Sequence, residues 1–183
     1  MHFENKSFSG QAPETGEYDT CTFTSCDFSN SNLFSINFIN CDFVDCNFSL
    51  TNVTNTSFRE THFRNCKLLG LHFEESNGLL VSMKFSDCHI ELCSFNKLNL
   101  KNCEFTGCMI SESDFSDADM KNVSFRGCDL ARSNFHNTNL EGTDFRSAVN
   151  YSFDPDLNRI RKAKFSITGL AGLLGKYDIE IDT

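Results

Sequence analysis

The chain has no tryptophan, only two prolines in 183 residues, and no apolar run near the roughly 18 residues that a membrane span requires. Scarce proline leaves a regular backbone few enforced breaks. The opening stretch MHFENKSFSG holds neither a basic n-region nor an apolar h-region, so no signal peptide is read. A soluble, cytoplasmic protein without membrane contact is therefore expected. Bases are scarce as well, 16 against 25 acids for a net charge of −9, and the only basic run is Arg159–Lys164. Such a surface repels a duplex, so direct nucleic-acid binding is not expected, and any partner drawn by charge is basic. Neither a GxGxxG fingerprint nor a P-loop occurs.

What is plentiful is phenylalanine, with 20 residues, and cysteine, with 10. From Tyr18, steps of five land on Phe23, Phe28, Leu33, Phe38, Phe43, Phe48, Val53, Phe58, Phe63, Leu68 and Phe73. A second run starts at Leu80 and continues through Phe85, Ile90, Phe95, Leu100, Phe105, Ile110, Phe115, Met120, Phe125, Leu130, Phe135, Leu140 and Phe145. Every one of these 26 positions is large and apolar, which neither a 3.6-residue helix nor a 2-residue strand produces. Two residues before each lies a small or apolar one. That second column contains all ten cysteines: Cys21, Cys26, Cys41, Cys46, Cys66, Cys88, Cys93, Cys103, Cys108 and Cys128. Two residues of every five thus point inward, one large and one small, and three face water.

Three readings of the cysteines compete. Pairs such as Cys21-x4-Cys26 and Cys88-x4-Cys93 suggest metal, but no converging four-ligand set follows from the spacing, so no metal and no cofactor is expected. Cysteines twenty apart, such as Cys26 and Cys46, would come close enough for disulfides, yet parallel inward side chains meet the dihedral requirement poorly and an intracellular chain stays reduced. Core filling by ten free thiols is the reading adopted.

The words CDFSN, CDFVD, CEFTG, SDFSD, ADMKN, CDLAR and SNFHN resemble the motif of the pentapeptide-repeat family over residues 16–147. That resemblance implies an all-β fold, a right-handed quadrilateral parallel β-helix with four pentapeptides per coil. Twenty-six pentapeptides give about six coils, at about 4.8 Å each. The step from Phe73 to Leu80 is seven, and a two-residue break near 74–79, at the turn signal Asn77-Gly78, is expected to kink the stack.

After Phe145 the period fades. The expected organisation is an N-terminal segment or cap over 1–17, the solenoid over 18–147, and a capping and dimerisation module over 148–183. Asp154-Pro155 signals a turn. Ser166 or Thr168 could cap a short helix presenting Leu170, Leu173 and Leu174, and Tyr177, Ile179 and Ile181 alternate with acids as in a strand. The module is similar to one in quinolone-resistance (Qnr-like) pentapeptide-repeat proteins, which implies a homodimer paired end to end.

No enzymatic activity is expected, because a filled solenoid offers no concave pocket and the five histidines are scattered. The candidate partner-binding residues are the acids Asp27, Asp42 and Asp45 and the cluster Glu112, Asp114, Asp117 and Asp119. The family resemblance implies a non-enzymatic interaction module, an acidic DNA mimic that occupies the DNA-binding saddle of DNA gyrase or topoisomerase IV. A scaffold protein with some other partner is the alternative. The resemblance is incomplete, since the long projecting loop of the quinolone-resistance proteins is missing and bases alternate with acids in the second half.

Overall fold

Two inward side chains separated by one outward residue require a short extended segment, and the remaining two residues of the five must turn the chain. The backbone does this at almost every repeat. Ser25, Asn30, Ser35, Asn40, Asp45, Leu50 and Asn55 all take φ between 51° and 60°, the left-handed region, two residues after each central side chain. Asparagine and aspartate tolerate that region better than other residues with a Cβ, which explains their abundance at the corners.

The computed structural model describes residues 1–77 and 82–181. Its strands pair in parallel, each with the one a coil away. His2–Glu4 pairs with Thr22–Thr24, which pairs with Asp42–Val44, and so on through Ser57–Arg64, Ser82–Ser86, Glu104–Thr106 and Phe125–Arg126. The fold is all-β, a right-handed quadrilateral parallel β-helix, with no α-helix among the described residues. The fifteen Phe of the two runs and all ten cysteines are buried in one core.

One face of the core is a continuous column of nine phenylalanines: Phe3, Phe23, Phe43, Phe63, Phe85, Phe105, Phe125, Phe145 and Phe165. Adjacent rings stack with centroids 4.7 to 5.4 Å apart. Rings of neighbouring faces meet edge to face, as Phe105 and Phe115 do at 6.1 Å and 90°. Offset stacks and edge contacts of this kind contribute about 0.5–1.5 kcal/mol each beyond area burial.

The small inward slot has a chemical role that size alone does not suggest. Thr51, Thr56, Thr138 and Thr143 each donate Oγ1–H to a carbonyl 23 residues earlier, at 2.8 to 2.9 Å. The thiols of Cys46 and Cys66 reach the equivalent carbonyls of Phe23 and Phe43, both at 3.4 Å. Threonine, serine and cysteine thus share the slot as donors to the preceding coil. Six of the cysteines, Cys26, Cys46, Cys66, Cys88, Cys108 and Cys128, occupy successive coils of a single face.

The solenoid outruns the strict period at both ends. His2–Glu4 already forms a rung, so the stretch 1–17 includes the first part of a coil. At the other end Asn139 bridges Arg159, Asp144 bridges Lys164, and Phe145 stacks on Phe165. The pairing therefore passes the boundary expected at 147 and reaches 165. The two-residue insertion changes the coil step from 20 to 22: Phe63 stacks on Phe85, Leu68 pairs with Ile90 and Phe73 stacks on Phe95. These three columns cross it at normal spacing, and a bulge between Arg59 and Thr61 takes up part of the change. Gly78 and Leu80, on which the expected break also falls, lie outside the described residues.

The C-terminal segment departs from the expected helix and strand. Ser166 does cap a turn, accepting from Gly169 N–H at 3.1 Å, but Leu170–Leu173 and Gly175–Tyr177 are 3-10 turns. Gly169, Gly172 and Gly175 disfavour an α-helix here. Gly172 is also required by packing, because a Cβ on it would lie 2.0 Å from the carbonyl oxygen of Tyr151. Residues 177–181 form no strand, and Asp178 at φ 50° interrupts the extended run.

Candidate interaction surface

An aspartate or asparagine directly before a central residue faces water but also closes a turn. Asp27, Asp114 and Asp119 accept from the backbone N–H two residues ahead, at Ser29, Ser116 and Lys121. Asn47 does the same for Ser49. These are Asx turns, and they bridge the residue before the central side chain to the residue after it. The local fold therefore selects Asp or Asn at these positions before any partner is considered.

The seven candidate acids do not gather on one face. Asp42 lies on the face of the nine-ring column, and Asp45 lies at that face's corner. Asp27 and Glu112 belong to the next face, whereas Asp114 and Asp117 belong to the third and Asp119 to the fourth. Three of the seven are paired with bases: Asp42 with Arg64 at 2.8 Å, Glu112 with Arg132 at 2.5 Å and Asp119 with Lys101 at 2.6 Å. The other four, Asp27, Asp45, Asp114 and Asp117, accept amide hydrogens from Asn47, Asn65, Asn134 and Asn137 one coil on, which leaves their charge uncompensated. The first 75 residues hold 10 acids against 4 bases, so the acidic half of the rod is its N-terminal half.

The C-terminal residues divide into two sets. Leu173, within the cap, is buried and Leu174 is half-buried. Leu170, Tyr177, Ile179 and Ile181 are exposed, together with Ile167, which is 90% exposed. Periodicity did not single out Ile167, because it belongs to no repeat. Lys176 ties the cap down by donating to Asp154 at 2.7 Å and to Asp156, and the ammonium holds the Asp154 carboxyl below the usual carboxylate range.

Histidines are dispersed. His62 lies 3.6 Å from Asp42, and His72 Nδ1 lies 3.0 Å from Glu74. Among the described residues no three His, Cys, Asp or Glu side chains converge on a metal-sized point. Burial raises the thiols of Cys93 and Cys103 to about 12, which keeps them protonated. No helix among the described residues is long and apolar enough to cross a membrane.

A four-sided parallel β-solenoid on a five-residue period defines a class of repeat protein in which each coil contacts only its neighbours. The family model described as pentapeptide repeat region matches residues 17–91 and 80–151, and the chain belongs to the pentapeptide-repeat family. Among solved structures, it is similar to HetL, a pentapeptide-repeat protein involved in heterocyst differentiation regulation from the cyanobacterium Nostoc sp. strain PCC 7120. That likeness has a TM-score of 0.74 at 12% identity, over 92% of this chain and 86% of that one. It is also similar to two trypsin-treated variants of QnrB1, a plasmid-mediated fluoroquinolone resistance protein. One has a TM-score of 0.66 over 100% of this chain and 98% of that one, the other 0.67 over 98% and 99%, both at 17% identity. No curated protein sequence matches the chain. At these identities the likeness establishes the fold.

Proposed function

We propose that the chain is a non-enzymatic protein-interaction module, a cytoplasmic homodimeric rod whose acidic N-terminal half enters a basic groove. The partner class is a type II topoisomerase, DNA gyrase or topoisomerase IV. The observation that carries this reading is the filled axis. With a core of stacked rings, what the chain offers a partner is its outer surface, and that surface is acidic overall at −9. Four of the seven candidate acids keep an uncompensated charge, and the acids lie on all four sides, as the phosphates of a duplex surround its axis. The full-length likeness to a fluoroquinolone resistance protein supports the partner class. Exposed Ile167, Leu170, Tyr177, Ile179 and Ile181 at the C-terminal end supply the apolar surface for pairing two copies.

The alternative is a rod with a different protein partner. The ion pairs of the C-terminal half favour it, since they dilute the acidic field there, and HetL is a regulatory member of the same fold. Gyrase supercoiling measured with the full-length protein, with and without a quinolone, separates the two. Inhibition of supercoiling or protection from the drug, lost as salt rises, is the expected result. No effect at micromolar protein would end the topoisomerase assignment. Sedimentation of the full chain tests the dimer, and a monomer would overturn it.

A further inference from the structure

The N-terminal end of the solenoid is built differently from the C-terminal end. At the C-terminus the turns over 166–177 lie across the last coil, and Phe153 N–H donates to Gly172 O at 3.0 Å. At the N-terminus the His2–Glu4 strand is the last of its sheet and pairs on one side only, with Thr22–Thr24. Met1 N donates to Thr20 O at 3.3 Å in the coil below, and no described strand pairs with the other edge of His2–Glu4.

The aromatic columns stop at the same place. Phe3 stacks on Phe23 at 4.7 Å and 7°, Phe8 on Phe28 at 4.9 Å, and Tyr18 on Phe38 at 5.4 Å. The inner ring of each pair is fully buried, whereas the outer rings are half-buried and carry no described ring on their other side. These three outer rings line a cavity of about 740 Å³ rimmed by Glu14, Glu17 and Asp19, with Lys6 and the amino terminus as its bases. Glu4 adds a further exposed carboxylate on the edge strand itself.

An open strand edge, unfinished ring stacks and an acidic rim impose three demands on an occupant. The edge asks for an extended backbone, which adds as a further strand. The outer face of Phe3 asks for a flat group at the stacking distance. The rim asks for positive charge. A guanidinium meets the last two together, because it is planar, permanently charged and stacks on aromatic faces. A second copy of this end is disfavoured, since it would bring the same carboxylates together. We propose that the N-terminal end binds an extended arginine-bearing segment of a partner protein by strand addition, seating an arginine over Phe3 as the next rung of the nine-ring column. This goes beyond the topoisomerase reading, which rests on the acidic faces and would stand or fall separately.

The test is titration of the full-length protein with a short peptide of alternating arginine and valine, followed by anisotropy and by amide chemical shifts. The expected result is saturable one-to-one binding that moves the amides of residues 2–8 and 14–19. Phe3→Ala and the exposed charge reversal Glu17→Lys should each weaken it by about tenfold, or about 1.4 kcal/mol. Glu141→Lys, at the far end, should change nothing. N-methylating alternate peptide nitrogens should abolish binding if a strand is added. No binding up to about 1 mM peptide overturns the proposal. So does binding that shifts Asp114–Asp119 instead, or binding indifferent to both Phe3→Ala and Glu17→Lys. Self-association that Phe3→Ala removes would identify a second copy as the occupant and equally overturn it.

Discussion

Phe63 stacks on Phe85 at 5.1 Å across 22 residues of sequence, where the adjoining rungs of the same column span 20. The ring geometry is indifferent to the insertion, which shows what the column enforces. The chain between rungs adjusts, while the distance between stacked rings stays fixed by contact. The first prediction follows from this rigidity. Phe105→Ala removes a fully buried ring with neighbours above, below and beside it, and should cost about 3–5 kcal/mol in denaturant unfolding. Phe3→Ala, with one stacking partner, should cost about 1 kcal/mol. Equal costs would mean that the column does not act as a packed stack.

The extent to which the sequence revealed this fold depended on which period was searched. The five-residue period locates the sides and corners, because inward positions are under uniform steric demand. It loses the ends, because Pro13 interrupts the run of large residues after Phe3 and Phe8, and Asn150 and Pro155 interrupt it before Ile160 and Phe165, although all four keep the phase of five. The helix and strand expected after 165 rested on a cap residue and on apolar spacing, and three glycines and a left-handed Asp178 override them. The candidate acids were the least legible. A carboxylate that closes an Asx turn, such as Asp27, looks in sequence the same as one displayed to a partner.

The thiols set the alkaline limit of stability. Burial raises Cys93 and Cys103 to about 12, from 9.0 for an exposed thiol. Between those values the unfolded chain loses protons that the folded chain keeps, so unfolding is increasingly favoured as pH rises. The contribution is complete below about pH 9 and is lost towards about pH 12. Denaturant midpoints measured from pH 7 upward should fall beyond about pH 9. Over the same range a thiol reagent should leave the native protein unlabelled and count ten thiols once it is unfolded. A flat alkaline profile would contradict the burial argument.

Gly172→Ala tests how the C-terminal cap is seated. The added Cβ would meet the backbone of Tyr151, and backbone cannot rotate out of the way as a side-chain tip can. The cap should lift, breaking the bond from Phe153 N–H to Gly172 O, while the coils beneath it stay folded. Limited proteolysis is the measure, with cleavage after residue 165 expected to quicken and the solenoid to resist. Unchanged cleavage would show that the cap has another seat.

The corners at Leu50 and Leu92 hold leucine where leucine is doubly disfavoured. Both take left-handed φ, 57° and 53°, and both are more than half exposed, at 60% and 52%. A left-handed residue with a Cβ costs about 1–2 kcal/mol, less for asparagine, whose side chain bonds locally. Leu50→Asn and Leu92→Asn should therefore each stabilise the fold by about 0.5–1 kcal/mol. Leu50 also lies over Gly70, where an added Cβ would come within 3.0 Å of Leu50 Cδ2. Gly70→Ala carries two penalties, its own left-handed backbone at φ 68° and the crowding against Leu50. Leu50→Ala removes only the second. The cost of Gly70→Ala should accordingly be smaller in the Leu50→Ala background than in the natural one, and a double-mutant cycle reads the difference directly. A cycle that closes to zero would mean that the leucine does not rest on the glycine.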